Sequence, residues 1–210
     1  MKKMLWMAVV LMASVLSLSA QEATEDIDVK YAANLLKPGT EAPDFEIQNN
    51  DSVKGVKLSN FRGKYVVLEF WASWCPDCRK DMPEVKALYE QYGKQGVQFI
   101  GVSFDTDKAA WSNYIDKNNL SWLHTSELVK WKKGTKIDQD YHVQWIPTYY
   151  LLDTEGKVVL GTVQPKKVGA KLAELAEQGK LTADCGTKAD CCAGKKDVAG
   201  AKMACCADKK

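Results

Sequence analysis

The chain has 210 residues, 46% apolar and 27% charged, a globular composition that excludes wholesale disorder. Its net charge of +2 sits at the two ends: residues 1–20 hold two lysines and no acid, and residues 181–210 hold six lysines against four aspartates, leaving the body at about −2. A near-neutral body does not suit nucleic acid, which favours a basic face.

In chain order, Met1-Lys2-Lys3 is a short positive start, Met4 to Ala20 is uncharged, and the small residues Ser17, Ser19 and Ala20 precede the polar Gln21-Glu22. This is the three-part pattern of a secretory signal peptide, cleaved after Ala20 or Ser19. The competing reading is an uncleaved anchor, for which seventeen uncharged residues are short. Either one implies a periplasmic or secreted body, where disulfides persist. Residues 21–37 read as a loose polar lead-in, residues 38–180 as one folded domain, and residues 181–210 as a separate Cys-, Lys- and Ala-rich tail.

Within the domain, Asp44 to Ile47 alternates as a half-buried strand does. Tyr65 to Trp71 is a nearly continuous apolar run, suited to a strand buried on both faces. Met82, Val85, Leu88, Tyr89 and Tyr92 then fall at helical spacing, with Pro83 predicting a kink and Gly93 a stop. Val97 to Ser103 is a second buried strand, Trp111, Tyr114 and Ile115 mark a helix ending near Asn118-Asn119, and Ser121 to Thr125 is a short strand. Glu127 to Lys133 predicts a short helix closed by Gly134. Thr148 to Leu152 and Lys157 to Leu160 flank the turn Asp153-Thr154-Glu155-Gly156 as a hairpin, and Val168, Leu172 and Leu175 give a last helix stopped near Gly179. Alternating strands and helices predict an α/β fold, its central sheet mixed but mostly parallel and flanked by helices.

Trp74-Cys75-Pro76-Asp77-Cys78 joins the buried strand to the first long helix. A helix start offers unpaired N–H groups and the positive dipole end, which stabilise a thiolate. The two-residue spacing brings both sulfurs within one turn, and Pro76 suits the first helical position. Cys75 is then the exposed attacker and Cys78 the resolving thiol, a redox-active pair needing no diffusible cofactor. Asp77 opposes thiolate formation; Arg79 and Lys80 favour it. A structural disulfide or half of a zinc site competes, but zinc needs two more ligands, and the body offers only His124 and His142, remote in sequence. Glu69 interrupts the apolar strand six residues before Cys75. Burial raises the pKa of such a carboxyl and suits it to take the proton of Cys78; a strand-edge Glu paired with Lys is the alternative. Ile146-Pro147-Thr148 places a Pro just before a strand, where a cis bond would present the Ile146 backbone to a peptide. Trp74, Pro76, Ile146 and Pro147 are the expected substrate contacts.

The segments Glu41-Ala42-Pro43-Asp44-Phe45, Glu69 through Cys78, and Ile146-Pro147-Thr148 together resemble the thioredoxin superfamily. The resemblance is to the TlpA/ResA-like extracytoplasmic thiol-disulfide oxidoreductases of the wider redoxin (AhpC/TSA-like) group, over residues 38–180. It implies a thioredoxin-like fold with a strand-helix insertion before a cis-Pro at Pro147, and places Glu69 where that family usually has a buried Asp. It also implies a reductase of protein disulfides, recharged by a membrane or periplasmic thiol reductant, in cytochrome c maturation or periplasmic redox homeostasis. A monomer is expected. Peroxidase is the runner-up, but a peroxidatic Cys needs Pro seven and Thr or Ser three residues upstream, where this chain has Leu68 and Ala72. Trp111, Trp122, Trp131 and Trp145 are expected to be mainly packing residues, the alternative being an aromatic rim around the Cys pair that binds peptide. In the tail, Cys185, Cys191, Cys192, Cys205 and Cys206 lie in a segment too polar to bury a core, which predicts disorder. They form a set of soft-metal ligands, thiols that pair among themselves, or a relay to Cys75.

Overall fold

The computed structural model describes residues 26–48, 55–132 and 135–181. The expected leader at residues 1–20 and all five tail cysteines lie outside the described residues. Among the described residues no helix is long and apolar enough to cross a membrane.

The apolar run forms β1 (Val66–Trp71), buried at every position. It occupies the middle of a five-stranded sheet of order β3-β2-β1-β4-β5. β2 (Gln98–Ser103) and β3 (Leu123–Ser126) continue the sheet in parallel on one side. β4 (Thr148–Leu152) and β5 (Val158–Thr162), the expected hairpin, lie antiparallel on the other. The sheet is mixed, with its pairings divided evenly between the two senses.

The helices are α1 (Asp28–Tyr31), α2 (Pro76–Tyr92), α3 (Lys108–Asn118), α4 (Lys136–Asp140) and α5 (Pro165–Glu177). Asp107 caps α3 by accepting from the N–H groups of Ala109 and Ala110, and Asn119 ends it in the left-handed conformation. β3 and α4 lie between α3 and Pro147. α5 lies against α2, with Leu88 seated over Gly169. Side chains alternate across β1. Phe70 joins Phe104, Tyr141 and Tyr150 in an aromatic cluster, with ring centroids 5.1–6.1 Å from its own. Full burial of each such ring stabilises by about 1.5–3 kcal/mol.

Three local expectations are corrected. Asp44–Ile47 is not a strand; its alternation is real, but pairing is limited to isolated bridges at Glu41 and Glu46. Residues 127–132 are not helical, because Leu128 and Lys132 take positive φ (55° and 60°), which no helix accommodates; the helix lies further on, at α4. The lead-in is not loose over residues 26–37. Asp28 accepts from the Thr162 hydroxyl and the Val163 N–H, and Lys167 binds both Asp26 and Asp28, so α1 is strapped to the start of α5.

Candidate active site

β1 delivers its C-terminal end to the turn Ala72-Ser73-Trp74, and α2 starts at Pro76. Asp105, buried just after β2, fixes that turn by accepting from the Ser73 N–H (2.9 Å), the Ser73 hydroxyl (2.6 Å) and the Ser103 hydroxyl (2.7 Å). Cys75 is the N-cap of α2. Its sulfur accepts from the Cys78 N–H at 3.2 Å, and its carbonyl accepts from the Arg79 N–H at 3.1 Å. Pro76 stands at the first helical position, as its missing N–H favours.

Both cysteines are free thiols, and both are buried. The expectation of an exposed Cys75 is therefore corrected: 4% of its surface is open. The cause is the loop before β4. The Ile146–Pro147 bond is cis, and the Cys75 thiol donates to the Ile146 carbonyl at 3.6 Å. Trp74 is the exposed member of the motif, at 52%. Ile146 and Pro147 are thus brought to Cys75 from seventy residues away, as the proposed peptide-aligning backbone requires.

The pair is electrostatically split. Hydrogen bonding from the Cys78 thiol, and then from its backbone N–H, lowers the Cys75 pKa against the opposing effects of burial and the Asp77 charge. Burial drives Cys78 upward, and so does its bond to Cys75. Asp77 acts as expected, whereas Arg79 lies over the Tyr114 ring at 5.9 Å. Glu69 is central in the sheet, 2% exposed, and neither carboxylate oxygen has a partner among the described residues; the strand-edge ion pair is excluded. Burial pushes its pKa up to about 8, helped by the charges of Asp81 and Cys75.

Sequence reasoning passed over three contributors. Asp81 stands one turn beyond Cys78 on the same face of α2, and burial raises its pKa; helical spacing alone carried that signal. Asp105 carried none beyond its position after a strand. The α1 strap supplies Ile27 and Tyr31 as one wall of a 190 Å³ cleft completed by Asp77, Asp81, Trp145 and Pro147, with the Tyr31 and Trp145 rings tilted against each other at 4.2 Å. Trp111 and Trp122 are core residues. His124 is buried, His142 is exposed on a left-handed turn, and no group of three potential metal ligands occurs among the described residues.

Known proteins are similar to this chain in sequence and fold. A thiol-disulfide oxidoreductase ResA of Bacillus cereus is 37% identical over 121 residues, covering 58% of this chain and 66% of the relative, just under two thirds of its length. Among solved structures, a thiol-disulfide oxidoreductase from Bacteroides fragilis NCTC 9343 superposes with a TM-score of 0.59 at 32% identity, covering 65% of this chain and 99% of that one. A thiol:disulfide interchange protein from Bacteroides sp. gives 0.59 at 26% identity, over 68% and 91%. The fold is thioredoxin-like, with a TlpA/ResA-like redoxin pattern. The AhpC/TSA family profile matches residues 38–160, more than half of the chain, and the chain belongs to that family.

Proposed function

We propose that this chain is an extracytoplasmic thiol-disulfide oxidoreductase acting mainly as a reductase of protein disulfides. The observation that carries it is the Cys75 sulfur, held at a helix start by the Cys78 N–H and beside the Ile146 carbonyl. Cys75 thiolate attacks a substrate disulfide, forming a mixed disulfide and releasing one substrate thiolate. Ionised Glu69 takes the Cys78 proton, directly or through water. The Cys78 thiolate then attacks the Cys75 sulfur, closing the Cys75–Cys78 disulfide and releasing the second substrate thiolate. A dithiol donor outside the chain restores the pair, so no diffusible cofactor enters. The substrate peptide lies across Trp74, Pro76 and the Ile146–Pro147 backbone, one side chain entering the cleft walled by α1. The leader-like residues 1–20 and the ResA likeness support placement outside the cytoplasm, by cleavage or anchoring; the role this reading assigns is cytochrome c maturation or redox homeostasis. Peroxidase chemistry is disfavoured, because the positions that should activate peroxide are the buried apolar Leu68 and Ala72.

The test is the reduction potential of the Cys75–Cys78 couple together with turnover on a disulfide-bonded protein. A potential near −270 mV, as in thioredoxin, supports the reductase; a value near −120 mV would make it an oxidant. Absence of a two-electron couple would refute redox function and shift attention to soft-metal binding by Cys185, Cys191, Cys192, Cys205 and Cys206. Deletion of residues 181–210 separates these readings: turnover survives if the domain is the enzyme.

A further inference from the structure

The strand register sets Tyr149 of β4, Glu69 of β1, Gly101 of β2 and His124 of β3 in one row across four strands. Residues paired in this way project from the same face, and Trp71, two along from Glu69, shares it. Tyr149, Glu69, Trp71 and His124 are all buried. Yet the Tyr149 hydroxyl, both Glu69 oxygens and the Trp71 indole N–H have no hydrogen-bond partner among the described residues, and the His124 ring has only the Leu120 backbone as one. Buried polar atoms are seldom left unpartnered. So many in one row form a single feature.

Gly101 is where they meet. A Cβ on it would lie 2.4 Å from His124 Nδ1 and 2.9 Å from Trp71 Nε1, so the two nitrogens converge on bare backbone in the residue paired with Glu69. Any larger residue would collide with both rings. Ring packing holds the imidazole there, with centroids 5.6 Å from Trp71 and 5.1 Å from Trp122.

We propose that His124 is a positioning residue for Glu69: packed on Gly101, its imidazole and the Trp71 N–H hold between them a water that hydrogen-bonds the Glu69 carboxyl. A buried water needs two to four polar partners, and Glu69, Trp71 and His124 supply them. Burial holds the His124 pKa down at about 3, so the ring stays neutral and keeps one donor and one acceptor nitrogen. The other ionisable groups facing Glu69 are Cys75, Cys78 and Asp81 from α2, Tyr149 from β4, and Tyr114 from α3 with Arg79 over its ring. None of them hydrogen-bonds the carboxyl.

The use of this unit rests on the oxidoreductase reading; its first test does not. The full chain is labelled with ¹⁵N-histidine and held in the Cys75–Cys78 disulfide form, so that neither active-site thiol titrates. It contains two histidines, and exposed His142 serves as the reference. The His124 ring shifts are expected to move with a midpoint near 8, the titration of Glu69, and this step vanishes in Glu69→Gln. Flat His124 shifts between about pH 6 and pH 10, or a step that survives Glu69→Gln, overturn the proposal. A second readout uses turnover. His124→Leu moves the pH midpoint of the Cys78 resolving step by more than about 0.5, while His124→Gln, which keeps a donor and an acceptor, restores it. A purely packing role would change unfolding and leave that midpoint in place. Should His124→Leu fail to fold, the wild-type titration decides. Tracking of Glu69 without any disulfide turnover would sink the oxidoreductase reading and leave the His124 unit standing.

Discussion

Glu69→Gln should remove a large pH dependence of stability. The Glu69 carboxyl titrates near 4.5 in the open chain and at about 8 when buried. Between these values the folded state holds a proton that the unfolded state has released, so stability falls as pH rises. At 1.36 kcal/mol per pH unit the loss is about 3 kcal/mol by pH 7 and approaches about 5 kcal/mol above pH 8, with full stability recovered below pH 4.5. The desolvation that causes it is that of a fully enclosed group, so solvent screening takes little away. The assay is urea unfolding from pH 4.5 to 9 with Cys75→Ala and Cys78→Ala present, so that no active-site thiol titrates, comparing chains with and without Glu69→Gln. Between pH 5 and pH 7 the Glu69 chain should lose about 1–2 M in urea midpoint relative to its Gln counterpart. Parallel curves would refute the reasoning, because they would mean that Glu69 is ionised in the fold or solvated by a route absent from its surroundings.

Iodoacetamide should alkylate Cys75 at a pH below the ordinary thiol range and leave Cys78 unmodified, as peptide mapping would show; Cys78→Ala should remove the side-chain donor that favours the Cys75 thiolate and raise that pH. Asp105→Ala leaves three donors around the Ser73 turn without their acceptor and should cost about 2–4 kcal/mol in urea unfolding, with slower attack by Cys75; an unchanged rate would separate this clamp from the site. Asp28→Ala frees α1 from Thr162, Val163 and Lys167, and should speed proteolytic cleavage within residues 26–37 while raising KM for a protein disulfide more than it lowers kcat.

What was legible in the sequence was what repeats at short range. An unbroken apolar run is a fully buried strand, and a Cys pair between that strand and a helical pattern sits at a helix start. Glu69 was legible because one charge in such a run has no place to go but into the core. Contacts that join remote segments were not legible. Nothing near Cys75 announces that the Ile146 loop closes over it, so its burial was missed. The polar character of residues 26–37 suggested looseness, because their acids meet Thr162 and Lys167 only in the fold. His124 read as one isolated histidine; the bare Gly101 that makes room for it is visible only once β2 and β3 are in register.

Both outer strands of the sheet are touched by the chain that precedes it. Along β5, Val158 exchanges hydrogen bonds with Gly39 and Thr40, and at the strand's far end Asp28 takes the Val163 N–H. Beyond β3, the Thr125 hydroxyl is joined to the backbone of Gln48. Bare edges invite strands from neighbouring copies. One stretch, residues 26–48, therefore works as selvedge on both sides of the cloth. A domain trimmed to its first strand would lose these contacts on both borders, and its tendency to self-associate, measured by light scattering, should rise.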